Sequence, residues 1–188
     1  MTQSAPWRLD DSGLLPAAAY LPSPNFDDRP AGGVIDLLVV HNISLPPGQF
    51  GGPGIIDLFT NRLDPNAHPY YRQIAQAKVS SHFLIRRDGE LIQFVPCACR
   101  AWHAGQSEWR GRSRCNDFSI GIEVEGTDDQ AFADAQYAML AKLASVLRRK
   151  YSIQDCVGHS DIAAPPGRKT DPGPHFDWAR FRAMLEQA

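Results

Sequence analysis

The sequence lacks the long apolar run of about 20 residues that a membrane-spanning helix requires. No apolar stretch among its 188 residues approaches that length. The first residues also lack a basic segment followed by an apolar one, so no export signal is predicted. We therefore expect a cytoplasmic protein that does not bind membranes.

A strong excess of charge is also missing. The chain has 19 Lys and Arg against 21 Asp and Glu, a formal net charge of −2. This balance gives no electrostatic reason to expect a nucleic-acid partner. Internal repeats, low-complexity tracts and linkers are absent too. With 43% apolar residues, the chain is predicted to form a single domain over residues 1–188, with residues 1–33 as an extended N-terminal segment packed on it.

Cysteine is scarce: the chain contains only four, which are Cys97, Cys99, Cys115 and Cys156. Without an export signal, reduced thiols are expected rather than disulfides. One residue separates Cys97 from Cys99, whereas zinc-binding cysteine pairs usually have two to four residues between them. A metal site built from cysteine is therefore not predicted.

Apolar runs mark the strands of a sheet. Residues 34–40 have apolar side chains at both odd-numbered and even-numbered positions, a pattern typical of a central strand buried on both faces. Residues 82–86 and 91–95 form a predicted hairpin, with Gly89 in the turn. A further strand covers residues 118–126, where Gly121, Glu123 and Glu125 share one face.

Helical periodicity appears in three places. A short helix is predicted over residues 55–63 and a longer one from Asp134, whose side chain is expected to cap it. Residues 154–158 are expected to be a short strand or turn leading to His159. Asp177 is predicted to cap the last helix.

The most distinctive stretch is the loop 158–174, which is punctuated by Pro and Gly and therefore not expected to lie inside a helix. Loops this rich in titratable groups are usually functional. We predict that His159 and Asp171 bind a catalytic zinc ion with His41, at the end of the strand 34–40. Asp161 is an alternative to Asp171, but its separation of two residues from His159 would strain the chelate.

Together with Glu123 and Lys169, these residues are predicted to form a hydrolytic centre. A catalytic zinc ion takes three protein ligands, often His and carboxylate, and keeps one position for water. Zinc lowers the pKa of that water to about 7. Glu123, on a neighbouring strand, is predicted to be the general base. Lys169 is predicted to stabilise the oxyanion formed from the attacked carbonyl.

Four stretches of the chain resemble motifs of the AmpD family: residues 41–48, 119–123, 158–163 and 168–173. The AmpD family comprises cytoplasmic zinc amidases of cell-wall recycling, related to peptidoglycan-recognition proteins and phage-lysozyme amidases. The resemblance extends from about residue 22 to residue 181. It implies an α/β fold with a central mixed sheet flanked by α-helices and an active-site cleft at the strand ends.

The same resemblance implies an activity. The substrate would be an anhydro-muropeptide, cut at the amide between the lactyl group of 1,6-anhydro-N-acetylmuramic acid and L-Ala of the stem peptide. It supports the ligands and catalytic residues named above, one zinc ion per chain, and a monomer is expected. Asn42, Lys78, Arg114 and Ala163 are the predicted substrate-binding residues.

Two departures from the family pattern concern those substrate contacts. Lys78 stands where the family often has Arg, and Lys lacks the bidentate fork that grips a carboxylate. The loop 163–167 is about two residues longer than usual, which would shift the wall near Ala163. Two other functions stay open at this point: a zinc-free domain that holds muropeptides, and a zinc peptidase that cuts within the stem peptide.

Overall fold

The structure is a computed structural model that describes residues 7–188, and within that range it contains ten strands and five α-helices. The strands are β1 (Ala19–Tyr20), β2 (Phe26–Asp28), β3 (Leu37–Ile43), β4 (Phe83–Ile85), β5 (Leu91–Gln93), β6 (Cys99–Ala101), β7 (Glu108–Trp109), β8 (Arg112–Ser113), β9 (Ser119–Glu125) and β10 (Asp155–Gly158). The helices are α1 (Gly54–Phe59), α2 (Tyr71–Ile74), α3 (Asp134–Lys150), α4 (His159–Ile162) and α5 (Trp178–Glu186).

The main sheet has six strands in the order β1-β5-β4-β9-β3-β10. Strands β4, β9, β3 and β10 run parallel, while β5 pairs antiparallel with β4 and β1 runs parallel to β5. The predicted mixed sheet is therefore confirmed. Two small ribbons, β2 with β6 and β7 with β8, lie outside it.

Strand β3 differs in its bounds from the predicted strand over residues 34–40. It begins at Leu37 and continues through Ile43, because its ladder with β9 runs from Leu37–Ser119 to Ile43–Glu125. His41 is therefore inside the strand rather than beyond its end. The backbone ladder consequently fixes its position.

The two faces of the main sheet pack against different elements. Leu38 and Val40 of β3 pack in one core cluster with Leu140 of α3 and Phe181 of α5. Because side chains alternate along a strand, His41 points to the opposite face, which α1, α2, α4 and several loops cover. None of the helices described between residues 7 and 188 has the length and apolar character needed to cross a membrane.

The N-terminal segment contributes to the fold, although residues 1–6 of the predicted segment 1–33 lie outside the described part. Leu9 and Leu15 are buried against the main core. Strand β1 extends the main sheet, and β2 pairs with β6. The segment is thus built into the sheets more than its turn-rich composition suggests.

One of the two predicted helix caps is confirmed and the other is wrong. Asp177 accepts a hydrogen bond from the Arg180 backbone N–H at 2.9 Å, as predicted. The prediction for Asp134 is wrong, because the capping position of α3 is Ala133. There the Ala133 N–H donates to Gln136 Oε1 at 2.9 Å, while Asp134 forms an ion pair with Arg180.

A buried ion pair links the last residue of β9 to the residue that follows β4. Arg86 Nη1 donates to Glu125 Oε1 at 2.8 Å, and the two side chains are 9% and 2% exposed. Glu125 also accepts hydrogen bonds from the backbone N–H groups of Gly51 and Arg87. Its carboxylate therefore joins three segments of the chain.

Replacing Arg86 with Met should destabilise the protein by about 3–5 kcal/mol, because the change leaves a buried carboxylate without its cation. Urea unfolding of the purified variant measures this. The matched control is Arg62→Met, which breaks an exposed pair with Asp57 (3.9 Å) and should cost under about 1 kcal/mol. Equal small losses in both variants would contradict the prediction.

Candidate active site

Neighbouring parallel strands place His41 beside Glu123. The two residues are partners in the ladder between β3 and β9, and such partners point to the same face. Strand β10 ends at Gly158, the partner of Val40, so His159 follows at the level of His41. Three of the predicted site residues thus lie together towards the carboxyl ends of the parallel strands, where ligand sites of open α/β sheets are usually found.

His159 begins α4, so part of the loop 158–174 is one helical turn, contrary to the sequence prediction. The Gly158 N–H donates to Asp161 Oδ2 at 2.7 Å, so Asp161 satisfies a free amide at the start of this turn. His159 Nε2 donates to the Ala104 carbonyl at 3.0 Å, which leaves Nδ1 as the acceptor. Of the two candidate carboxylates, the structure places Asp171 beside the histidines.

The chain around Asp171 is anchored on both sides. The Ser160 N–H donates to the Asp171 carbonyl at 2.9 Å. Asn42 Nδ2 donates to the carbonyl of Pro172 at 2.9 Å and to Asp128 Oδ1 at 2.6 Å. Both amide hydrogens of Asn42 are therefore engaged, and its Oδ1 is the atom left for the predicted substrate contact.

The three predicted ligand atoms form a nearly equilateral triangle. His41 Nδ1 is 3.0 Å from His159 Nδ1, and Asp171 Oδ2 is 3.2 Å from the first and 3.1 Å from the second. A tetrahedral zinc ion with bonds of about 2.0–2.1 Å separates its ligands by about 3.3–3.4 Å. The triangle therefore fits a zinc-sized ion with little adjustment.

Burial and hydrogen bonding favour the protonation states that bind metals. Burial lowers the pKa of His41 to about 4, although its hydrogen bond with Asp171 opposes that shift. Burial alone would raise the pKa of Asp171, but its close contacts with the imidazoles of His159 and His41 hold it below its usual range. A neutral imidazole and an ionised carboxylate result, and these are the ligating forms.

Glu123 stands out because one of its carboxyl oxygens is buried and lacks a hydrogen-bond partner in the described part of the chain. The residue is 8% exposed, and Oε2 has no hydrogen-bond partner within residues 7–188. Burial, together with the negative charge of Asp171, raises the pKa of Glu123 well above its ordinary value, while Lys169 opposes the shift. An unpaired buried carboxyl is costly, and strongly perturbed pKa values are typical of functional sites.

These side chains open into a cleft of about 560 Å³. His41, Glu123, His159, Lys169 and Asp171 are all among its lining residues. The cleft has one apolar wall, made of Leu58, Phe59, Tyr70, Ile74, Ala77 and Val79. A molecule with an apolar surface and several polar groups would suit such a site.

Three of the predicted substrate-binding residues do not line this cleft. Lys78 is exposed, although its neighbours on both sides are part of the apolar wall. Arg114 lies in a separate depression and pairs with Asp117 at 3.2 Å. Ala163 is buried and bridges to the backbone of Ser107. Their roles stay predictions.

His103 has a contact that the sequence analysis missed. His103 and the preceding residue, Trp102, both line the cleft. In addition, His103 Nδ1 lies 2.9 Å from His41 Nε2. The two residues are 62 positions apart, so no local pattern of the sequence could have indicated this pair.

Comparison with known proteins gives a consistent result. The model of the family described as N-acetylmuramoyl-L-alanine amidase matches residues 31–174. The protein named 1,6-anhydro-N-acetylmuramyl-L-alanine amidase AmpD of Citrobacter freundii is 59% identical over 179 residues, which cover 94% of this chain and 95% of the relative.

Solved structures agree with the sequence match. A crystal structure of a selenomethionine derivative of AmpD superposes with a TM-score of 0.91 at 59% identity, covering 94% of this chain and 99% of that one. The amidase AmiD of Escherichia coli, in complex with anhydro-N-acetylmuramic acid-L-Ala-D-γ-Glu-L-Lys as substrate, gives a TM-score of 0.59 at 28% identity. That match covers 94% of this chain and 65% of AmiD.

Proposed function

This chain belongs to the N-acetylmuramoyl-L-alanine amidase family, and we propose that its cleft hydrolyses an anhydro-muropeptide with the help of one zinc ion. The bond cut joins the lactyl group of 1,6-anhydro-N-acetylmuramic acid to L-Ala of the stem peptide. Relatives at 59% and 56% identity carry the name of this activity. The products are a free peptide and the anhydro sugar, as in peptidoglycan recycling.

One observation carries the assignment of the chemistry: the three candidate metal ligands lie in the same cleft as Glu123, whose buried Oε2 has no hydrogen-bond partner within residues 7–188. His41, His159 and Asp171 would hold the zinc ion, since two imidazoles and one carboxylate suit zinc. When bound, zinc supplies a Lewis acid and lowers the pKa of a water molecule in its open position. The cluster contains no cysteine.

Glu123 is the proposed proton acceptor and donor. It lies on the strand next to His41 and faces the same cleft, so it can take a proton from the attacking water and pass it to the leaving amine. The positive charge of a bound ion would lower its raised pKa and favour the basic form. Lys169 lines the same cleft, and its ammonium group would offset negative charge on the attacked carbonyl oxygen.

The cleft suits the two halves of such a substrate. The apolar wall is formed by side chains of α1, α2 and the chain after them, which would contact the less polar face of an anhydro sugar. The lining also includes Glu123, Lys169 and Asp171, the charged groups that would act on the amide or hold the metal. The AmiD complex, which contains an anhydro-muramyl tripeptide, supports a small soluble fragment as the substrate.

The zinc-loaded protein should cleave an anhydro-muramyl tripeptide into two products, free tripeptide and anhydro-N-acetylmuramic acid. Mass spectrometry of the reaction identifies both. Intact cell-wall polymer should be cut much more slowly, because relatives at 59% and 56% identity are named for the 1,6-anhydro sugar of a muropeptide fragment. The control is the same preparation after removal of zinc with a chelator, which should regain activity when zinc returns.

Other products would support other functions. Fragments shortened within the peptide would identify a stem-peptide protease, and an unchanged substrate that nonetheless binds would identify a recognition domain. Faster release from polymeric cell wall than from the soluble tripeptide would contradict the proposed substrate class. Cytoplasmic location and a monomeric state stay predictions, which cell fractionation and sedimentation would check.

A further inference from the structure

The histidine ligands have a second layer of contacts, formed by residues 103 and 104. His41 and His159 each direct Nδ1 towards the ligand triangle, so each has Nε2 left for a further hydrogen bond. His41 Nε2 lies 2.9 Å from Nδ1 of His103, and His159 Nε2 lies 3.0 Å from the Ala104 carbonyl. Two consecutive residues therefore contact the outer side of both histidines.

The positions of residues 103 and 104 are themselves fixed. Asn116 Oδ1 accepts hydrogen bonds from the backbone N–H of His103 at 3.2 Å and of Ala104 at 2.8 Å. The His103 ring lies against Gly121, where an added Cβ would come within 2.5 Å of its Cγ. The absence of a side chain at Gly121 therefore leaves room for the His103 imidazole, and this explains why β9 has glycine at this position.

The hydrogen bonds have one consistent direction. If His41 Nδ1 binds a metal, its hydrogen is on Nε2, which then donates to His103 Nδ1. His103 in turn carries its hydrogen on Nε2, which lies 3.1 Å from Ser119 Oγ and can donate to it. The reverse direction would place a hydrogen on His41 Nδ1, inside the ligand triangle, where it would block metal binding.

We infer that His103 is a positioning residue that orients His41 and fixes the tautomer in which it binds zinc. The inference rests on the proposed metal site and adds a residue outside it. The rings of His41 and His103 meet edge to face, at an interplanar angle of 89°, so the contact restricts rotation of His41 as well as its proton. Loss of outer contacts of this kind typically weakens metal binding by about 10–100-fold.

A matched pair of variants tests the hydrogen bond separately from packing. Leu and Asn have side chains with the same number and branching of heavy atoms. His103→Leu removes the hydrogen-bond acceptor, whereas His103→Asn places Oδ1 near the position of the lost Nδ1. We expect the zinc dissociation constant, measured by competition with a chelator, to rise about 10–100-fold for Leu. Asn should recover most of that loss. Melting temperatures without zinc should be similar for the two variants.

Ser119→Ala gives a second test that does not alter the ring. It removes the partner of His103 Nε2 and should weaken zinc binding in the same direction by a smaller factor. In the zinc-loaded wild-type protein, ¹⁵N NMR of the imidazoles should show hydrogen on Nε2 of both His41 and His103. Ser119→Ala and the NMR measurement decide the matter if His103→Leu fails to fold.

Several results would overturn the inference. Wild-type zinc affinity in His103→Leu, or equal losses in the Leu and Asn variants, would exclude a role for the hydrogen bond. Hydrogen on Nδ1 of His103 in the zinc-loaded protein would exclude the assigned direction. Failure of the metal site itself is distinguishable, because the wild-type chain would then bind no zinc at all.

Discussion

Replacement of Glu123 with Gln should lower kcat by at least about 100-fold and leave the protein folded with its zinc ion. General acid-base groups typically contribute about 10²–10⁴-fold to the rate, and the amide cannot accept the proton. The folded state should tolerate the change, because Glu123 forms no ion pair with any residue of the part described by the structure and its Oε2 has no hydrogen-bond partner there. Zinc content, melting temperature and kcat are measured on the same sample.

Glu125→Gln is the matched control for this prediction. Glu125 lies two residues along the same strand and on the same face, but its carboxylate pairs with Arg86 and accepts backbone hydrogen bonds. We expect that variant to lose stability and to retain kcat per folded molecule. A zinc-loaded, folded Glu123→Gln variant with near-normal kcat would exclude Glu123 as the proton-transfer group.

Replacing one of the proposed zinc ligands should abolish both zinc binding and activity. His159→Ala and Asp171→Ala each delete one corner of the triangle, which leaves two ligands for an ion that needs three from the protein. The loss of zinc affinity should exceed the roughly 100-fold limit for outer contacts. Elemental analysis after dialysis gives the zinc content.

His175→Ala is the control for the ligand variants, since His175 is exposed immediately after the loop 158–174 and lies outside the triangle. It should retain one zinc ion per chain. Blocking the thiol of Cys99, which is partly exposed, should also leave the metal in place. Full zinc retention by His159→Ala would remove the ligand assignment.

Much of the fold could be predicted because its signals are local. The alternation of Gly121, Glu123 and Glu125 on one strand indicated which side chains share a face, and β9 has the predicted course. Gly89 has the positive φ of 88° that the predicted hairpin turn needs. Such signals depend on neighbouring residues and require no knowledge of distant contacts.

The rest depends on distant contacts that the sequence does not reveal. Asp134 has the residue type of a cap, but it is the first residue of α3, and the side chain of Gln136 accepts a hydrogen bond from Ala133 at the capping position. His159 was expected in an irregular loop, yet Asp161 supports a helical turn there. The residue types of the metal triangle were predictable, whereas the partners of Asn42 and His103 were not, since they come from segments 86 and 62 positions away.

The anchoring of Asp171 has a consequence for engineering. Its carbonyl accepts a hydrogen bond from the Ser160 N–H, and the next carbonyl accepts one from Asn42, so contacts outside the loop tip at residues 166 and 167 hold Asp171 in place. Pro166 and Gly167 in that loop are exposed. Because lengthening a surface loop costs little closure entropy, this junction is a suitable place to insert a tag, a fluorophore or a tether to a second protein.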